Sequence, residues 1–248
     1  MKRLFIVLTL LFSASLPAQA PVAVPVGKEP HHRLVLENEY VRVFRVSVPA
    51  HDATLLHQHD LPYLYVSLGP ADVVNAVAGK PEGRLVLSDG QLGYSRGGFA
   101  HIARTDAGTP FDNVTVELLH PQGDPHNLCG QVFAGLPAAS CSDPSFAAKA
   151  AYGIQSEFED AEIRVDRVRL AARSKENELA TKLPWLAIGY GKSTIKVRVK
   201  GKPEKVLSEG EVAWAEDDSD ASFASANGTP AEFVRIVFKK QHTQPNLP

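Results

Sequence analysis

Charge of neither sign predominates in this 248-residue chain, where 26 Lys and Arg face 28 Asp and Glu for a net charge of -2. Without a basic footprint, nucleic acid is not an expected partner. Long apolar runs are missing too. The run Leu4 to Phe12 is too short to cross a bilayer as a helix, and no later segment approaches the length a span requires. Cysteine is scarce: Cys129 and Cys141 stand close together in a Pro/Gly-rich stretch. In an oxidising compartment such a pair reads as one disulfide, with two free thiols as the alternative. Bridging so short a loop contributes about 3 kcal/mol in the chain-entropy model. No histidine arrangement around the pair suggests zinc or redox chemistry. Convincing long helical patterns are also lacking.

What is present begins with a targeting segment. Lys2 and Arg3 supply a positive start, Leu4 to Phe12 the apolar run, and Ala18-Gln19-Ala20 a small-residue exit. Residues 1–20 are therefore expected to be a signal peptide, bacterial in style, and the mature protein to be exported, periplasmic or secreted. Pro21 is awkward for the peptidase, which leaves cleavage after Ala18 or Ser15 open.

The strongest organisational signal is an internal repeat. Residues 36–70 align without a gap to residues 158–192 at an offset of 122, with ten of 35 positions identical. The match resumes at Gly-Lys-Pro-Glu, 79–82 against 201–204. After a two-residue deletion it continues at 87–90 against 207–210 and at 108–110 against 228–230. Self-similarity of this length means two copies of one domain. The copies are placed at 30–120 and 153–240, with a connector over 121–152 holding both cysteines and a short helical piece, Ser145 to Tyr152.

Each copy reads as β. Val41 and Val43 alternate with polar neighbours, then the phase slips and Val46 and Val48 carry on; Ile163, Val165, Val168 and Leu170 do the same. The shared slip predicts a β-bulge at 44–45 and 166–167. Short apolar runs separated by Gly, Pro, Asp and Asn follow, as in a sandwich or barrel.

Chemistry concentrates at 55–65, Leu-Leu-His-Gln-His-Asp-Leu-Pro-Tyr-Leu-Tyr. Residues i and i+2 of a strand share a face, so His57 and His59 aim at one spot, either solvent or a barrel interior. His101 follows Gly97 and Gly98, where backbones can approach closely. Three imidazoles from two strands can form a facial N3 metal site with open positions. The bland alternative is histidines filling a polar barrel mouth.

These residues resemble the two motifs of the cupin superfamily. In the first motif, Gly-x5-His-x-His-x3,4-Glu-x6-Gly, His57 and His59 are present and Tyr63 occupies the Glu position. His51 stands at the leading Gly, and Gly69 falls one short of the closing one. In the second, Gly-x5-Pro-x-Gly-x2-His-x3-Asn, Gly90, Gly98 and His101 fit every spacing, with Arg96 for Pro and Thr105 for Asn. The resemblance implies an all-β chain of two tandem cupin-type jelly-roll barrels, with His57, His59 and His101 as metal ligands. Tyr63 is expected to contact substrate or the ligand shell rather than to ligate, and its counterpart Trp185 to pack. The second copy carries Leu179, Thr181 and Ala221 where the first has its histidines, so it is expected to be a scaffold.

The remaining candidates are expected to be solvated: His51, Asp60 and Arg96 on the barrel rim, His31 and His32 in the N-terminal arm, and His120, His126 and His242. The sequons at Asn113 and Asn227 are read as chance. One divalent transition metal is implied, Fe first, with Zn, Ni, Cu or Mn as alternatives. The expected activity is that of an Fe-type oxygenase on a small molecule. The alternative is a non-catalytic module holding metal or ligand, because no unmistakable general base is present. A homodimer is compatible with the sequence.

Overall fold

The computed structural model describes residues 22–138, 152–173, 177–178, 183–216 and 221–239. Residues 1–20, expected to be a signal peptide, and Cys141, Leu179, Thr181, His242 and the segment 145–151 lie outside that set. Tyr152, expected to end a helical piece, instead opens a strand, and no α-helix occurs among the described residues.

The first half is built from β1 (Val24–Pro25), β2 (His32–Glu37), β3 (Val41–Val48), β4 (His57–His59) and β5 (Tyr63–Ser67). It continues with β6 (Ala71–Val77), β7 (Gly83–Leu87), β8 (Leu92–Ser95), β9 (Phe99–Arg104) and β10 (Phe111–Leu118). Two five-stranded sheets, β1-β4-β9-β6-β7 and β2-β3-β10-β5-β8, face each other around one interior. The arm ahead of residue 30 takes part: β1 runs parallel to β4, and a 3-10 turn at Val26–Lys28 carries the chain across to β2 in the opposite sheet.

The second half comprises β11 (His126–Asn127), β12 (Tyr152–Glu159), β13 (Ile163–Leu170), β14 (Asn177–Glu178) and β15 (Trp185–Gly189). It ends with β16 (Ile195–Val199), β17 (Lys205–Leu207), β18 (Val212–Ala215), β19 (Ala221–Ser225) and β20 (Ala231–Phe238). These form sheets β11-β12-β13-β20-β15-β18 and β14-β19-β16-β17. The chain is all-β, two tandem jelly-roll barrels.

The bulge expected at 44–45 and 166–167 is absent from those strands. Strand β3 pairs with β10, and β13 with β20, without a break. The slip has another cause: both faces of β3 are buried, each over half its length. Val41 and Val43 point outward into a core shared with the second barrel, whereas Phe44, Val46 and Val48 point into the first barrel. Ile163 and Val165 against Val168 and Leu170 repeat the arrangement. The real bulges sit on the partner strands, at Val35 between Leu34 and Leu36, and at Glu157 between Ser156 and Phe158.

The shared core joins the barrels reciprocally. Arg167 donates to the carbonyl of Gly90 at 2.9 Å, and its repeat partner Arg45 packs on Gly210. Both glycines have positive φ; a Cβ at Gly90 would strike the Tyr190 ring at 2.4 Å, and one at Gly210 would push the Arg45 guanidinium aside.

Candidate metal centre

His57 and His59 flank Gln58 on β4, so the strand's two-residue period turns both imidazoles inward, where they are buried. Strand β9 lies antiparallel to β4 with His101 directly opposite His57. Ring centroids are 4.5 Å apart for His57 and His101, 5.0 Å for His57 and His59, and 5.2 Å for His59 and His101. Gly97 makes the close approach possible. Its φ is 67°, and a Cβ there would meet the carbonyl oxygen of Leu61 at 2.1 Å. The amide of Gly98 then donates to the His59 carbonyl at 2.7 Å. Three imidazoles that the sequence placed on two strands thus share one end of one interior.

A fourth joins them, which corrects the expectation of a solvated arm. His32, on β2, has a side chain only 5% exposed. Its ring lies 4.7 Å from His57 and 6.0 Å from His59, and donor atoms of His32, His57 and His59 all fall within 4.8 Å of one another. Its Nδ1 donates to Glu29 at 2.6 Å. Glu29 is fully buried and also accepts from the amide and ring of His31 and from the Leu55 amide. The Leu55 carbonyl in turn accepts from His57 Nδ1 at 2.9 Å. One carboxylate therefore organises two of the rings.

The protonation pattern follows from these partners. Oxygen acceptors hold Nδ1–H of His32, of His57, and of His101, whose Nδ1 meets Asn75 Oδ1 at 2.6 Å. In the neutral tautomer the lone pair is then on Nε2 in each. Burial lowers the pKa of His57 to about 4, of His59 to about 2 and of His101 to about 3, so all three are neutral at pH 7. Burial alone would raise Glu29, but hydrogen bonds from His32, His31 and Leu55 outweigh it and hold the carboxyl at about 2. His57 Nε2, His101 Nε2 and His59 Nδ1 are buried with no hydrogen-bond partner. Buried polar atoms normally have one. An ion held by such nitrogens would satisfy them, so the residues fit a divalent metal. His59 Nδ1 lies 3.9 Å from buried Glu117, which pairs with Arg42 at 3.0 Å.

Tyr63 is buried, which pushes its hydroxyl up to about 12; Ser95 hydrogen-bonds it, and the ring stacks on His59 at 4.3 Å. The imidazoles open on a cavity of about 210 Å³ lined by Tyr65, Asn75, Tyr94, Phe99, Phe111 and Asn113 among others. Among the described residues no Lys, Arg, Asp or Glu lines it. Tyr94 lies opposite Leu64 on β8, so its ring turns into the core shared with the second barrel, 4.8 Å from Phe158. Asn113 is buried on β10 and bonded to Thr115, so that sequon faces the barrel interior. Sequence reading missed it because alternation into a cavity leaves no motif. Of the rim residues, His51 and Asp60 are exposed, and Arg96 pairs loosely with Asp124 at 3.7 Å. His126 is exposed, whereas His120 packs on Tyr40.

The second barrel is filled instead. Ala221 replaces His101 and is buried, and Trp185, Phe223 and Phe233 occupy the core. Register extends the contrast: His32 pairs with Val46 as Ile154 pairs with Val168, so Ile154 stands where His32 would be. Ile154 packs on that apolar core.

Among solved structures, AerE from Microcystis aeruginosa is similar over 86% of this chain and 99% of its own, with TM-score 0.57 and 9% identity. A salicylate 1,2-dioxygenase from Pseudaminobacter salicylatoxidans covers 86% of this chain and 77% of its own, with TM-score 0.56 and 13% identity. The same dioxygenase as a gentisate adduct gives TM-score 0.55 at 13% identity, over 86% of this chain and 75% of its own. No family model and no curated protein matches. At these identities the likeness shows the fold alone, two tandem jelly-roll barrels.

Proposed function

We propose that the chain is an exported metal-dependent enzyme of oxygenase type acting on a small molecule at the first barrel. The observation that carries this is the set of buried imidazoles with unpartnered nitrogens at the wall of a cavity whose described lining holds no Lys, Arg, Asp or Glu. His57, His59 and His101 would hold the ion, iron first and Zn, Ni, Cu or Mn as the alternatives. When bound, the ion would supply Lewis acidity and open coordination positions.

The chain's own residues do the rest. Asn75 and the Leu55 carbonyl fix the ring tautomers, and Tyr63 fixes the plane of His59 by stacking. Tyr65 and Asn113 offer neutral hydrogen-bonding groups to an occupant. A cavity of about 210 Å³ suits a one-ring or short-chain molecule, since about 150 Å³ admits benzene. The gentisate adduct of the similar dioxygenase supports an occupant of that size. In the exported protein Cys129 and Cys141 form one disulfide.

Anaerobic loading with Fe(II), followed by O2-uptake measurements across phenols, enols and diketones, tests the activity. Uptake coupled to product formation is expected. Tight binding with no turnover of any candidate would replace the enzyme with a binding module.

A further inference from the structure

Imidazole ligands bring no charge of their own to balance a divalent ion. The nearest buried carboxylates are Glu117, paired with Arg42, and Glu29, whose bonding partners are two histidine rings and two backbone amides. Glu29 and His32 lie outside the repeat as the sequence shows it, yet their position is built. Strand β1 pairs beside His57, the 3-10 turn follows, and β2 enters the opposite sheet with His32 facing His57 and His59.

We propose that His32 is a fourth metal ligand through Nε2, and that Glu29 is its positioning residue, delivering negative charge to the centre through the His32 ring. This assignment rests on the metal centre proposed above. Two independent observations support it. Donor atoms of His32, His57 and His59 converge within 4.8 Å, while His32 Nδ1 is taken by Glu29 and only Nε2 remains. In the second barrel Ile154 replaces His32 where Ala221 replaces His101. A residue needed only for the fold would have no reason to disappear with the ligand. Carboxylate–histidine–metal units of this kind raise ligand basicity and lock ring orientation. Four protein nitrogens leave an octahedral ion two open positions, enough for a chelating substrate or for one substrate atom and O2.

Anaerobic Co(II) titration of the full chain against a competing chelator tests the proposal, read by affinity and by the visible d–d spectrum. His32→Gln should weaken Co(II) by more than about 100-fold and change the spectrum. Glu29→Gln should weaken it by about 10–100-fold, the range for a lost outer-shell partner. Arg33→Ala, exposed on the same strand, should change neither. Folded His32→Gln with wild-type affinity and spectrum overturns the assignment and leaves the metal centre standing. Wild-type protein that binds no Co(II) overturns both. Should His32→Gln not fold, the hyperfine-shifted exchangeable imidazole protons of the wild-type Co(II) protein decide: four ligand rings are expected, and three would contradict it.

Discussion

In the unfolded chain the histidines titrate near 6.5, while burial holds His57 at about 4, His59 at about 2 and His101 at about 3 in the folded one. Between those values the unfolded state binds more protons, so stability falls as pH falls. Glu29 acts in the same direction over a lower window, from its ordinary 4.5 down to about 2. The metal-free protein should therefore be fully stabilised above pH 6.5 and lose melting temperature steadily from there to about pH 4. Melting temperatures unchanged between pH 7 and 4.5 would contradict the burial described for these rings. His57, His59 and His101 were legible as a set because strand period and a glycine-rich turn announce themselves in spacing. His32 was not. Its only sequence signal is its place 122 residues before Ile154, four positions upstream of where the repeat becomes visible.

Strand β9 reaches β4 only because residues 97–98 fold back on it. Gly97→Ala must displace the Leu61 carbonyl as well as accept a left-handed φ, whereas Gly98→Ala meets nothing within 4 Å and bears only the conformational cost. That cost is about 1–2 kcal/mol. Thermal unfolding and metal titration should rank the pair: Gly98→Ala mildly destabilised with metal retained, Gly97→Ala more destabilised and weakened in metal affinity through His101. Equal effects would mean that the approach at Gly97 is not what places His101. At this scale the sequence showed that something happens at 44–45 and 166–167 but not what. A bulge and a switch of apolar face give the same pattern of residues, and only the ladder tells them apart. Val35 and Glu157, the true bulges, leave no trace in composition.

The two barrels share one apolar core, and the fold as a whole was legible in the repeat. Their mode of association was not, because outward-facing Val41, Val43, Ile163 and Val165 look like any half-buried strand. Ile163→Ala removes a fully buried side chain from that shared core and should cost about 2–5 kcal/mol. The centre lies within the first barrel, so metal stoichiometry of the folded variant should be unchanged. A loss of metal at temperatures where it remains folded would show that the second barrel does more than support the first. Cys141 lies outside the described residues, and the pairing with Cys129 is checked by mass spectrometry of the non-reduced protein: no alkylatable thiol is expected, and two would refute the bridge.

The central claim is that the first barrel holds one divalent ion on its buried imidazoles. The most direct measurement is metal content per chain after anaerobic Fe(II) loading and removal of free ion, for wild type and His57→Ala. The account predicts one ion per chain in the wild type and nearly none in folded His57→Ala, since both strands β4 and β9 present their nitrogens around that ring. A full equivalent retained by His57→Ala would contradict it.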